Sequence, residues 1–537
     1  MPAALSLASS GGYPHQHAKL VARGERMDWG TSSKMTWRDL GMGVSLDWSN
    51  AGLSDASWAA QHEPLVRALA AMLALESGAI ANADEGRMVG HYWLRLPELA
   101  PAGLAETIVR TREACRDLAT AVHREKSFST VLVLGIGGSA LGPQLVADAL
   151  GEPHDPLRVL FLDNTDPDGM ARVLGALDLE ETLVVCISKS GGTPETRNAL
   201  LETQAAYGRA AVDFAPRAVA VTGEGSRLWA TAANWRARLP MWDWVGGRTS
   251  ILSAVGLLPM FLQGIDADEM LAGAAAMDAA TRGGNPDQNP AARLAWAWLA
   301  LTGGKNERAM VVLPYRDRLV LMSKYLQQLV MESLGKTLDR QGNIVKSGLT
   351  VFGNKGSTDQ HAYVQQLRDG PDDHFVTFVA VQDDGYYGQV EVEPGIEAGD
   401  YLQGLLVGTR TALRDTGHPS LTLTLKTVDA FRIGALVALF ERAVGLYAEL
   451  VNINAYHQPG VEAGKQAAGV FLAIKAPLLA AMREGPATAQ ELAARAGVAD
   501  VAAAHALLWR LAVNERGVEA VPGTSADTDQ FGLSNPT

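Results

Sequence analysis

Three short apolar runs, at residues 131–134, 157–162 and 183–187, alternate along the chain with segments of helical character. Runs apolar at nearly every position leave no polar face for water, so they predict strands covered on both sides, as in a parallel sheet with crossover helices. A fourth run, 218–222, extends the set. A second set begins at 309–313 and includes 349–352 and 375–381, with a helical stretch over 319–336 between its first two strands. This pattern is that of two α/β units in series. Residues 1–110 read as helices and loops, with apolar positions at helical spacing over 64–75, and are expected to pack across both units.

Residues 485–537 follow a different pattern. Gly485-Pro486 breaks the chain, Thr488-Ala-Gln-Glu491 has the form of a capping box for a short helix ending near Gly497, and a second helix is expected over 501–514. The pair has the layout of a winged helix-turn-helix. Its basic residues Arg495, Arg510 and Arg516 are balanced by Glu491, Asp500, Glu515 and Glu519, which favours a structural or contact appendage over DNA binding. The expected organisation is a helical leader over 1–110, α/β domains over 111–290 and 291–484, and an appendage over 485–537.

Composition narrows the function classes. A chain of 537 residues exceeds what one hydrophobic core serves, and a net charge of -13 gives no long-range attraction to nucleic acid or anionic lipid. Anionic ligands must therefore meet a local cluster of donors. Cys115 and Cys186 are the only cysteines, too few for a disulfide framework or a cysteine zinc site, and they fit a reducing compartment. Residues 1–20 lack an apolar run behind a basic start, and no run of about eighteen apolar residues occurs. A cytoplasmic protein is expected.

Two loops are suited to an anion. Gly135-Ile-Gly137-Gly138-Ser139-Ala140 stands between an apolar run and a helix, so free backbone N–H groups converge there. The same residues fit a dinucleotide-binding pattern, with Asp163 after the next strand as its ribose-binding acid. Ser188-Lys189-Ser190-Gly191-Gly192-Thr193 supplies a second loop of hydroxyls and glycines, and two such loops suit a phosphomonoester. Either loop alone can also be an ordinary tight turn.

Candidates for proton transfer follow. In Gln328-Leu-Val-Met-Glu332-Ser333-Leu334-Gly335-Lys336, Gln328 and Glu332 share one face of a strongly apolar helix. Burial there would raise a carboxylate's affinity for protons toward neutral pH, as a base acting on carbon requires. A surface Glu beside Lys336 fits the pattern equally well. Arg248, in Gly246-Gly247-Arg248-Thr249-Ser250, can stabilise a developing oxyanion or sit in a salt bridge at a turn. Lys465 follows Gln458-Pro-Gly near the start of a helix, where the dipole disfavours a cation. His361, in Gly356-Ser-Thr-Asp359-Gln360-His361, is a lone histidine in a polar loop, more often structural than catalytic.

On these stretches, in order over residues 130–470, the chain resembles the glucose-6-phosphate isomerase family. The resemblance implies two sugar-isomerase domains, each a parallel sheet flanked by helices in an α-β-α sandwich, with the active site between them. It implies an aldose–ketose isomerase of glycolysis and gluconeogenesis. Gly138, Ser139, Ser188, Lys189, Ser190 and Thr193 would hold the substrate phosphate, Glu332 would carry a proton between C1 and C2, and Arg248 would stabilise the cis-enediolate. His361 and Lys465 would assist ring opening, and Gln328 and Gln458 would position the sugar. A homodimer is implied in which His361 reaches the partner's site, as are the absence of any cofactor and of a catalytic metal. Thr249 stands where the family has an aromatic residue and Leu334 where it has Asn; neither change removes a catalytic group. An NAD-dependent oxidoreductase would leave the 188–193 loop unexplained, and a phosphosugar sensor would need no base at Glu332. An amidotransferase would need an N-terminal cysteine, which is excluded because the first is Cys115.

Overall fold

The computed structural model describes residues 34–534, the side chains of 461–463 and 465 excepted, so residues 1–20, read above for an export signal, lie outside the described residues. Within 1–110, expected as helices and loops, two strands form a hairpin, β1 (Thr36–Asp39) and β2 (Val44–Asp47). Val44 and Leu46 face inward and their neighbours less so, an alternation too short to stand out in a sequence. The helical spacing over 64–75 belongs to a helix, Asp55–Glu76, N-capped by Ser54.

The four apolar runs of the first set form β3 (Thr130–Leu134), β4 (Arg158–Leu162), β5 (Thr182–Ile187) and β6 (Ala218–Thr222), and a fifth strand that the pattern did not mark, β7 (Ala237–Pro240), completes an all-parallel sheet in the order β4-β3-β5-β6-β7. Alternate residues face opposite sides. Val131, Val133, Val185 and Ile187 pack against helices Leu104–Glu125 and Ala254–Gln263, while Leu132, Leu134, Val184 and Cys186 pack with Met170, Ala199 and Tyr207. Every residue of β5 is buried, as expected of a central strand covered on both faces.

The second sheet has the order β1-β2-β15-β12-β8-β11. Strands β8 (Ala309–Pro314), β11 (Val351–Phe352), β12 (His374–Val381) and β15 (Ser420–Leu425) are parallel, and β2 adds antiparallel to β15. Two side hairpins pair β9 (Lys336–Leu338) with β10 (Ile344–Ser347) and β13 (Glu391–Glu393) with β14 (Ile396–Glu397). The stretch 319–336 is not one α-helix. Met322–Leu326 is α-helical, Gln327–Glu332 widens into a π turn, and β9 begins at Lys336.

Six charged side chains, all but Arg282 buried, meet within residues 34–457. Arg95 donates to Glu441 at 2.5 Å and to Asp278 at 2.9 Å, Arg442 donates to Asp278 at 2.6 Å and to Glu76, and Arg282 reaches Glu76 at 2.5 Å and Asp278 at 2.8 Å. Three arginines thus balance three carboxylates, tying helices Asp55–Glu76, Ala267–Arg282 and Ala430–Leu450 to the turn at Arg95. Burial alone would push Asp278 toward neutrality, but Arg95, Arg442 and Arg282 outweigh it and hold its carboxyl at about 2.

The chain divides into compact units Met1–His457 and Gln458–Thr537. The second holds helices Pro459–Ala473, Lys475–Ala481, Ala489–Ala496 and Val501–Val513 with a small antiparallel sheet, β16 (Ala487–Thr488), β17 (Val518–Val521) and β18 (Gln530–Leu533), ordered β16-β18-β17. The capping box at Thr488 and Glu491 is formed in both directions, and Gly497 ends that helix in the left-handed conformation. The break at Gly485-Pro486 falls inside this unit, because Leu478, Ala481 and Met482 share a core with Leu492, Leu508 and Phe531. Residues Gln466–Glu484 reach a mean hydropathy of 1.2 over a membrane-spanning length, although Lys475 interrupts them.

Candidate active site

Strands β3 and β5 are neighbours in the first sheet, and the two candidate anion loops leave their C-terminal ends side by side, where open parallel sheets take ligands. After β3 the chain makes a tight turn, Gly137–Ser139, with Gly137 at φ +58°. Gly138 touches the Gly-Gly-Arg segment directly: a Cβ on it would fall 2.0 Å from the Gly247 carbonyl oxygen. Ser250 ties the two segments again by donating to the Gly138 carbonyl at 3.3 Å. Gln328 closes on the same loop, its Nε2 3.1 Å from where a Gly137 Cβ would stand.

The second loop is preorganised by its own hydroxyls. Ser188, 4% exposed, donates to Thr193 Oγ1 at 3.2 Å, and Gly192 N–H donates to Ser190 Oγ at 3.2 Å. Thr193 N-caps helix Pro194–Arg209 without a side-chain capping bond, so the helix start presents its N–H groups to the loop. The Lys189 ammonium donates to the carbonyls of Asp243 and Val245, both at 3.0 Å. It thereby braces the segment leading to Arg248, and burial lowers its pKa. Asp163 is exposed and accepts from Gln144 Nε2 at 2.8 Å.

Arg248 and Glu332 come together although 84 residues apart. The guanidinium, 6% exposed, donates Nη1 to Glu332 Oε1 at 2.8 Å and Nη2 to the carbonyls of Ala455 and His457 at 2.6 and 3.2 Å. Burial pulls its pKa down, while Glu332 opposes the shift. Of the readings open for Glu332, the structure shows a side chain 19% exposed and ion-paired, carried on a π turn rather than on the expected continuous α-helix. The wider turn is a common device at functional sites. Leu334 is fully buried and Thr249 nearly so, so both departures from the family pattern lie in the interior.

Two further groups at the site, one of them named above only as a neighbour of Glu332, are given no role by the sequence. Lys336, 5% exposed, donates Nζ to the Glu332 carbonyl at 2.7 Å. Burial first, and Arg248 second, push its ammonium down to about 7, against the opposing pull of Glu332 and Asp84. Asp84 projects from the turn Asn82 to Arg87, accepts from Asn454 Nδ2 at 2.5 Å and faces His457 at 3.9 Å. That Asn454 bond, more than His457, holds its carboxyl below the usual range. A charged turn reads as a solvated loop, and nothing in its spacing points toward residue 336 or 454.

The remaining candidates lie on other elements. His361 ends a 3-10 turn, Thr358–His361, with its ring exposed and without a hydrogen bond among the described residues. Gln458 is exposed and N-caps Pro459–Ala473 in the second unit, and Lys465 lies on that helix with its side chain outside the described residues.

Comparison with known proteins adds independent findings. A family model described as phosphoglucose isomerase matches residues 70–391 and 405–476. Glucose-6-phosphate isomerase of Geobacter sp. (strain M21) is 53% identical over 502 residues, covering 90% of this chain and 95% of the relative. That of Geobacter sulfurreducens is 56% identical over 474 residues, covering 86% and 90%. The crystal structure of a glucose-6-phosphate isomerase from Chlamydia trachomatis has a TM-score of 0.77 at 26% identity, covering 85% of this chain and 93% of that one.

Proposed function

Because the chain belongs to the phosphoglucose isomerase family, we infer that it interconverts D-glucose 6-phosphate and D-fructose 6-phosphate, in glycolysis and gluconeogenesis, through a cis-enediol. The observation that carries the chemistry is the carboxylate of Glu332 held 2.8 Å from a buried guanidinium. In the open-chain aldose, Glu332 takes the proton from C2 and returns it to C1, while the O2 hydroxyl proton passes to O1. The carbonyl moves from C1 to C2, and no electrons leave the substrate, so the reaction needs no redox cofactor. Arg248 offsets the negative charge that develops on the enediolate oxygens.

The loops after β3 and β5 take the phosphate through backbone N–H groups and the hydroxyls of Ser139, Ser188, Ser190 and Thr193, beside Gly138 and Lys189. Gln328, against the Gly137 loop, and Gln458 orient the sugar. His361 and Lys465 assist ring opening, His361 from the partner subunit of a homodimer. Its exposed ring, without a hydrogen bond among the described residues, supports that arrangement. Two free, buried cysteines agree with a cytoplasmic location.

The test is proton NMR of purified protein with fructose 6-phosphate in D₂O. Glucose 6-phosphate carrying deuterium at C2 is expected, because the base exchanges its proton with solvent. Binding without conversion would refute the isomerase reading in favour of a phosphosugar sensor.

A further inference from the structure

The helical segment bearing the base ends abruptly. Gly335 N–H donates to the Met331 carbonyl at 2.9 Å, and the chain then turns into β9 at Lys336. In a continuing α-helix the Glu332 carbonyl would accept from the N–H of residue 336; here the side chain of that residue takes its place, Nζ to O 2.7 Å. A terminal carbonyl bonded by a buried ammonium differs from ordinary fraying, because the charge-assisted bond is stronger than a neutral one. The ammonium sits among charged or titratable groups from four segments: Glu332 on its own turn, Arg248 after β7, Asp84 on the 82–87 turn and His457.

We propose that Lys336 is a positioning residue, its side chain fixing the main chain of Glu332 and thereby the carboxylate that moves the proton. The inference rests on the isomerase reading above. An error of about 1 Å in placing a reacting group costs roughly 100-fold in rate, so loosening this anchor acts on kcat rather than on substrate capture. Because the ammonium is held at about 7, the charged anchor weakens to a neutral amine donor as pH rises through that value, and kcat declines with it.

The experiment compares steady-state kinetics of wild type, K336M and K336R from pH 6 to 9, in the full chain and with folding checked by circular dichroism. K336M keeps the stem and removes the donor; its kcat is expected to fall about 10- to 100-fold, with KM within about threefold. K336R stays charged throughout and is expected to lose the inflection near pH 7 while keeping more activity than K336M. A K336M kcat within threefold of wild type, or a K336R profile superimposable on the wild-type profile, overturns the proposal. Should K336M fail to fold, the K336R profile decides alone. Wild type without any conversion would instead overturn the isomerase reading, a separate outcome.

Discussion

Exchanging Glu332 for Gln replaces one carboxylate oxygen with an amide nitrogen and leaves the side chain's shape almost unchanged. An oxygen can still accept from Arg248 at the present 2.8 Å, and Arg248 keeps the carbonyls of Ala455 and His457. The surroundings therefore have what they need to stay in place, and what disappears is the group that takes and returns the proton. General acid–base catalysis contributes roughly 10² to 10⁴ in rate, which corresponds to about 2.7 to 5.4 kcal/mol of barrier. Loops built on β3 and β5 are untouched, so KM is expected within about threefold of wild type. Proton NMR in D₂O measures turnover and deuterium at C2 in one sample, and a thermal melt shows whether the variant is folded. A folded E332Q enzyme with kcat within tenfold of wild type would refute the assignment of Glu332 as the base.

Gly138→Ala places a Cβ 2.0 Å from a main-chain carbonyl that has no side chain to rotate aside; the Gly-Gly-Arg segment must shift, and kcat/KM is expected to fall about 100-fold with the circular dichroism spectrum unchanged. Asp278→Asn leaves two buried arginines and the half-buried Arg282 facing two carboxylates and is expected to cost about 3 to 5 kcal/mol, measured by urea unfolding. Asp278 titrates at about 2 in the folded chain against 3.8 otherwise, so the unfolded chain takes the proton first as pH falls. The difference between wild type and D278N is therefore full above about pH 4 and shrinks as pH drops toward 2. For Lys336 the slope has the same sign but a different cause, desolvation of a cation: a folded value near 7 against 10.5 means the unfolded chain holds the extra proton between those limits. Wild-type stability relative to K336M should rise by up to about 1.4 kcal/mol per pH unit above pH 7; a flat difference would show that Lys336 is not desolvated in solution.

Four strands of the first sheet were legible because a strand buried on both faces must be apolar throughout, as in Leu183-Val-Val-Cys-Ile187; the edge strand β7, Ala-Arg-Leu-Pro with only Leu239 buried, was not. The β1–β2 hairpin and β15 were not. Each side of the hairpin has only four residues, and β15 carries threonines at positions that its neighbours bury. Chemistry-bearing types at the site could be singled out from local context, since Arg behind two glycines and Glu on an apolar face are both unusual. Their pairing could not, because contact between residues 248 and 332 is a product of tertiary packing. The same holds for Lys336 and Asp84. The π turn was also invisible, since helical periodicity over six residues does not distinguish a 3.6-residue turn from a wider one.

The core shared by Leu478, Met482 and Phe531 bears on how the C-terminal module can be handled. The helix it borrows begins at Lys475, before the family match ends at residue 476, so a stop codon at Gly485 would strip apolar side chains of their cover rather than trim a tail. Such a truncation would be prone to aggregate for reasons unconnected with the reaction. A fusion protein intended to isolate the module should start at Gln458, where the compact unit itself begins.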